Sequence, residues 1–137
     1  MALFNVFDIA GSSMSAQSVR LNTTASNLAN ANNVAGSAAE AYKGLYPVFQ
    51  AEMTQLGINP SSVGVSVTEI VQSQAPSDRI HQPDHPKADA DGYVYLPNVT
   101  ATTEMVDMLA AARAYQNSVE VLNTSKQLML RTLSVGR

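Results

Sequence analysis

Two histidines have a spacing that could support chemistry in this 137-residue chain. His81 and His85 are four residues apart, and such a pair on one face of a helix can bind Zn²⁺. Pro83 lies between them, and proline is excluded from a helix interior. The chain contains no cysteine that could complete the site. We therefore expect two exposed loop histidines and no metal centre.

An acidic segment partly matches a calcium-binding loop. Asp89, Asp91 and Gly92 fit positions 3, 5 and 6 of such a loop. This alignment places Lys87 at position 1 and Asn98 at position 12. The lysine would repel the cation, and asparagine cannot supply the bidentate carboxylate. The pattern instead predicts a turn in which an aspartate side chain bonds to the backbone.

The chain carries no motif of an enzyme active site. None of its serines lies in Gly-x-Ser-x-Gly, and its seven glycines are scattered and form no phosphate-binding loop. A net charge of -3 provides no basic surface for nucleic acid. We expect neither an enzyme nor a cofactor. A small hydrolase, the remaining catalytic alternative, would need an activity that depends on His81 or His85.

Proline divides the chain into two terminal segments and a middle. All six prolines lie between residues 47 and 97, so both ends lack the strongest helix breaker. Residues 3–30 and 102–134 are predicted to be helices. A helix of about 30 residues is about 45 Å long, whereas a compact sphere of this chain length is only about 37 Å across. The two helices are therefore predicted to pair as an antiparallel coiled coil.

Apolar residues mark the predicted contact face, or seam, of this coiled coil. In the C-terminal helix they alternate in spacings of three and four, and in the N-terminal helix they recur every seven residues. The seam is predicted to consist of Phe7, Met14, Leu21 and Leu28 together with Met105, Met108, Tyr115, Val119, Leu122, Met129 and Leu133.

The middle of the chain has the pattern of strands and turns. Valines alternate with small or polar residues from Val63 to Thr68, which is typical of a half-buried strand. The other predicted elements are a mobile linker at 36–41, a strand at 42–49 with Pro47 at an edge or bulge, a turn at 57–61, and a turn at Asp91-Gly92 before a strand at 93–96.

The predicted fold class is mainly α with a small β lobe. Residues 1–33 and 99–137 are expected to form the helical coiled-coil domain. Residues 34–98 are expected to form a linker and the small β-rich lobe.

Charge is scarce, above all in the first helix. Charged residues make up 14% of the chain, against about 25% in an ordinary soluble domain. Within residues 1–39 only Asp8 and Arg20 are charged. One interpretation is a solvated helix that happens to be rich in serine and asparagine. The other is a helix covered by neighbouring protein, since small uncharged side chains allow close packing without burying unpaired charge.

Several segments resemble the bacterial flagellar axial proteins, and among them the proximal rod proteins of the basal body. They are the Asn-rich run 21–32, Pro83–Pro86, the block 91–99 and the heptad segment 104–124. The insertion between Asn33 and Tyr42-Lys43 is similar to the proximal rod type and not to hook or distal rod proteins. The family-motif residues are Asn27, Asn30, Asn32, Asp91, Gly92, Tyr93, Tyr95, Pro97 and Asn98.

This resemblance implies a structural subunit of the drive shaft for flagellar motility. Such a subunit would assemble helically with copies of itself and with other rod proteins, and would contact the junction with the inner-membrane ring. It would be exported by the flagellar type III apparatus without a cleaved signal peptide and would lie in the periplasm. The terminal helices would form the inner tube, with the β lobe further out.

A second class of function, a soluble coiled-coil adaptor that binds one partner reversibly, stays open at this point. The two alternatives differ in the order of the free chain. The termini of a rod subunit are expected to be weakly ordered alone and to fold on docking. An adaptor would be a stable helical hairpin.

Overall fold

In the part of the chain that the structure describes, four strands lie between two long helices in chain order. A computed structural model describes residues 2–53 and 63–135. Helix α1 comprises Ala2–Asn30 and helix α2 comprises Ala101–Val135. Both helix predictions are confirmed to within one residue at each end. Neither described helix contains an apolar stretch long enough to cross a membrane.

The first two strands form an antiparallel pair. Strand β1 (Leu45–Met53) runs alongside β2 (Val63–Gln72), with Leu45 opposite Gln72. The register is irregular between Val48 and Phe49, just after Pro47, where an edge or bulge was predicted. The predicted strand at 42–49 is confirmed in part, because the observed strand begins and ends later. The predicted turn at 57–61 lies outside the described residues.

The second strand pair is short. Strand β3 (Arg79–His81) pairs with β4 (Tyr93–Tyr95), and Tyr95 also forms an antiparallel bridge to Ala35. The strand after Gly92 is confirmed, whereas β3 was not predicted. Val94 is 1% exposed and is the best-buried apolar side chain of this pair.

The predicted linker is a turn in the structure. The backbone amides of Glu40 and Ala41 both donate to the carbonyl oxygen of Ser37, at 3.2 and 3.1 Å. Ala41 is buried. These bonds give residues 37–41 a defined backbone path between α1 and β1.

The helices contact each other along their length. Ser13 contacts Ser118 and Asn27 contacts Glu104, so the two helices run in opposite directions. The β1–β2 pair packs against α1, where the Val65 amide donates to the Ser12 hydroxyl at 3.2 Å. The structure confirms the coarse fold class: two terminal helices with a small β segment between them.

Candidate functional site

The contact face between α1 and α2 is built from small and polar side chains. The most buried residues of α1 are Ala10, Ala16, Thr23, Thr24 and Asn27, and those of α2 are Glu104, Ala111 and Ser125. Small side chains let two helix backbones approach closely. This face holds the two long helices together and is the candidate functional site.

The apolar residues predicted to form the seam are less buried than these small side chains. On α1 all four members are half-buried: Phe7, Met14, Leu21 and Leu28. On α2 the half-buried members are Met108, Val119, Leu122 and Met129. Three others are exposed: Met105 at 56%, Tyr115 at 37% and Leu133 at 71%.

Asn27 joins three elements through its amide group. Its Nδ2 donates to the Leu45 carbonyl at 2.9 Å and to Glu104 Oε2 at 3.1 Å. Its Oδ1 accepts from the Leu45 amide at 2.8 Å and from the Tyr42 hydroxyl at 2.9 Å. Both donors and both lone pairs of the side chain are therefore used. This one side chain ties the end of α1 to the start of β1 and to α2.

Glu104 is a buried carboxylate in the first turn of α2. It is 2% exposed, and the Tyr46 hydroxyl donates to its Oε1 at 3.3 Å. Partial burial raises the pKa of the Tyr46 hydroxyl above its usual value of 10.0, and the negative charge of Glu104 acts in the same direction. Tyr46 therefore stays a donor at neutral pH. Both groups that donate to Glu104, the Asn27 amide and the Tyr46 hydroxyl, are neutral.

An ion pair crosses the same face nearby. Arg20 donates from Nη2 to Asp107 Oδ1 at 3.1 Å, with the two side chains 32% and 38% exposed. A pair this accessible contributes up to about 1 kcal/mol. This exposed ion pair therefore fixes the relative position of the two helices less firmly than the buried contact of Asn27 with Glu104 does.

A turn centred on Asp89 organises the motif block in the β lobe. Asp89 Oδ1 accepts from the backbone amides of Asp91 at 3.0 Å and Tyr93 at 2.8 Å. Its Oδ2 accepts from the Tyr95 hydroxyl at 3.2 Å. The bond from the Tyr93 amide is the main cause of a lowered Asp89 pKa. The Asx-type turn expected here is confirmed, and Gly92 has the positive φ of 79° that such a tight turn needs.

The other motif residues have separate positions. Asn98 accepts from the Gly44 amide at 2.9 Å and donates to the Ala75 carbonyl at 2.7 Å, which joins three loops. Pro97 is buried beside it. Asn30 closes the end of α1 through bonds to Ser26 and Asn33. Asn32 is exposed. The motif residues thus fall into two groups, one at the helix junction and one in the lobe.

The two histidines have different partners. The His81 ring lies edge-on to Tyr93 at 5.0 Å, and Arg79 lies over the same tyrosine at 5.0 Å. His85 Nδ1 accepts from the Lys87 backbone amide at 3.1 Å. Over residues 2–53 and 63–135, no group of three or more His, Cys, Asp or Glu residues could hold a metal ion.

Comparison with known proteins identifies the family. Residues 7–36 match the family of flagella basal body rod proteins, and residues 90–135 match the C-terminal family of flagellar basal body rod FlgEFG proteins. The flagellar basal-body rod protein FlgC of Salmonella typhimurium is 47% identical over the full length of both chains. The chain belongs to the FlgC family of flagellar basal-body rod proteins.

Relatives from other bacteria show the same full-length match. FlgC of Yersinia enterocolitica is 50% identical over 100% of both chains. FlgC of Aquifex aeolicus is 41% identical over 100% of this chain and 99% of its own. The family predicted from the Asn-rich run and the 91–99 block is confirmed.

Proposed function

We propose that this chain is a structural subunit of the flagellar basal-body rod, and not an enzyme. The observation that carries the proposal is the full-length similarity to flagellar rod proteins, at 47% identity with no unmatched part on either side. Its function is then mechanical. The subunit assembles with copies of itself and with other rod proteins into a shaft that transmits torque.

The accessible surface of the chain supports assembly. It amounts to 9406 Å², whereas a compact monomer of 14.6 kDa would expose about 6900 Å². Large apolar side chains contribute to this excess on α2, where Val106 is 63% exposed, Leu109 53% and Leu130 58%. An apolar groove of about 290 Å³ also opens between the helices beside Ile9 and Val121. Neighbouring subunits would bury such surface.

We assign the subunit to the proximal part of the rod. The insertion between Asn33 and Tyr42, where residues 37–41 form a turn, is the feature that favours this position over a distal one. A proximal subunit would lie in the periplasm and contact the junction with the inner-membrane ring. It would reach that place through the flagellar type III export apparatus, without a cleaved signal peptide.

The terminal helices are proposed to form the inner tube as an antiparallel coiled coil. Residues 1–33 and 99–137 would make up this domain, and residues 34–98 would form the linker and the outer lobe. The contacts of Ser13 with Ser118 and of Asn27 with Glu104 support the antiparallel arrangement. The near absence of charge in residues 1–39 supports a helix covered by other subunits.

Leu122→Asp tests the role of the helices in assembly. Leu122 is a half-buried member of the predicted seam. Replacing it removes up to about 2–3 kcal/mol of apolar burial and places a charge at the helix contact. We expect normal expression, no rod in isolated basal bodies and loss of swimming in soft agar.

Asn123→Asp is the matched control for this experiment. It adds the same charge at the next residue, which is exposed. We expect rods and swimming to persist in this variant. Normal motility of cells that carry Leu122→Asp as their only copy would contradict the proposal.

A further inference from the structure

The surface of α2 that faces α1 repeats every seven residues. On α2 the contact positions are Glu104, Ala111, Ser118 and Ser125. On α1, Ser13 faces Ser118 and Asn27 faces Glu104. The two contacts are fourteen residues apart on both helices. On α2 the repeat is made of small side chains apart from Glu104. On α1 the position midway between Ser13 and Asn27 is Arg20, which pairs with Asp107.

A repeat of this kind permits a slipped alignment. Helix α2 has 35 residues and α1 has 29, so α2 can move by seven residues and keep nearly the whole overlap. Ser13 would then face Ser125, and Asn27 would face Ala111. The helices would move by about 10 Å along their axis. The apolar residues beside the contact face keep apolar partners, because they also recur at intervals of seven: Met108, Tyr115, Leu122 and Met129.

The polar junction distinguishes the two alignments. In the observed one, Glu104 accepts from Asn27 at 3.1 Å and from Tyr46 at 3.3 Å. In the slipped one Glu104 lies beyond the end of α1, and the amide of Asn27 faces a methyl group. A buried donor that loses its acceptor destabilises the arrangement. The ion pair of Arg20 with Asp107 is too exposed to make an equal difference.

We propose that the buried hydrogen bond between Asn27 and Glu104 sets the axial register of α1 and α2. It is a positioning pair and not the main source of helix stability. A single polar pair in a repetitive helix contact can select one register in this way. Because Asn27 also binds Leu45 and Glu104 also binds Tyr46, the same junction fixes where β1 sits along the helices.

Paired cysteines report the register directly, because the native chain contains no cysteine. Ser13→Cys with Ser118→Cys reports the observed alignment, in which the serine oxygens are 3.1 Å apart. Ser13→Cys with Ser125→Cys reports the slipped one. Each full-length chain is equilibrated in a thiol–disulfide buffer and the yield of intramolecular disulfide is measured. The ratio of the two yields counts only chains whose helices are paired.

Glu104→Leu should raise the ratio of slipped to observed disulfide about tenfold or more, the effect expected from losing one hydrogen bond to a buried charge. Glu104→Gln keeps an acceptor for Asn27 and should restore the observed alignment. Ala10→Gly loosens the same helix contact, because Ala10 is buried beside Val121. It lies far from Asn27 in both alignments and should leave the ratio unchanged. An unchanged ratio in Glu104→Leu, with helix content retained in circular dichroism, would overturn the proposal.

A second variant keeps the test decisive if Glu104→Leu does not fold. Glu104→Ala also removes the acceptor, but it keeps the bonds of Asn27 to Leu45 and Tyr42 and leaves space in which water can pair with the free Asn27 donor. We expect this chain to be helical and to form the disulfides of both alignments. Formation of the observed-alignment disulfide alone, or loss of helix in this variant as well, would show that the pair does not select the register.

Discussion

Among the asparagines of the Asn-rich run, burial separates Asn27 from Asn30 and Asn32. Asn27 is 1% exposed and has four hydrogen bonds, whereas Asn32 is exposed to solvent. A buried amide is tolerated when all of its donors and acceptors are paired. The sequence pattern identified these residues as one motif, but the pattern could not rank them. The ranking depends on Leu45 and Glu104, which are 18 and 77 residues away.

Glu104 shows the limit of prediction at the scale of one residue. Its position in the first turn of α2 is favoured by the helix dipole, and glutamate is almost never fully buried unless it is paired. The structure buries it to 2% exposure, because Asn27 and Tyr46 supply donors from distant parts of the chain. Nothing in the local sequence signals that environment.

Asp89→Asn should weaken the lobe at neutral pH. The pKa of Asp89 is lowered from 3.8 in the folded chain, chiefly by the bond from the Tyr93 amide, so the ionised form is stabilised by folding. That contribution to stability is fully present above the pKa of Asp89 in the unfolded chain, and it is lost as the pH falls through the pKa in the folded chain. Asparagine cannot ionise. We expect a lower Tm than wild type at pH 7, with the difference shrinking below about pH 4.

Asp91→Asn is the matched control, since Asp91 is exposed and two residues away. Its Tm difference from wild type at neutral pH should be smaller than that of Asp89→Asn. Thermal unfolding followed by circular dichroism measures both variants. A Tm difference for Asp89→Asn that stays constant down to pH 3 would contradict the assignment.

Among the secondary-structure elements, the long ones could be predicted from the sequence and the shortest one could not. The two helices were predicted to within one residue at each end, because a periodic pattern over about 30 residues without proline leaves few alternatives. Strand β3 has three residues, all exposed, and no alternating pattern. It exists only because β4 pairs with it, so its local sequence carries no signal of its own.

Gly92→Ala should destabilise the β3–β4 pair. Gly92 has a φ of 79°, and a Cβ there would lie 3.1 Å from His81 Nε2 and 3.2 Å from Pro83 Cβ. An alanine in this conformation costs about 1–2 kcal/mol, and the close contacts add to that cost. We expect a lower urea concentration at the midpoint of unfolding, as monitored by tyrosine fluorescence.

Gly11→Ala gives a control of opposite sign. Gly11 lies inside α1, and a Cβ there would meet nothing within 4 Å. Alanine is favoured over glycine in a helix interior by about 1 kcal/mol. The urea midpoint should therefore rise. A fall in both variants would show that the glycine conformation is not what determines the effect at Gly92.

For the whole molecule, the buried face between the helices is narrow. The buried apolar side chains of the two helices are the alanines Ala10, Ala16 and Ala111. Alanine burial contributes far less than burial of leucine or phenylalanine. Meanwhile Val106, Leu109 and others on α2 remain more than half exposed. The helix pair is thus expected to be marginal in the free chain and to gain most of its stability from neighbouring subunits.

Hydrogen exchange on the purified monomer tests this expectation and also separates a rod subunit from an adaptor. If assembly orders the helices, backbone amides of residues 1–35 should be only weakly protected in the monomer, since local openings of marginal segments cost little free energy. The amides of β4 in the same sample serve as the reference, because Val94 is 1% exposed. In isolated rods the same helix amides should be strongly protected. Strong protection of residues 1–35 already in the monomer would mean that the helix pair is a stable unit by itself, as an adaptor requires.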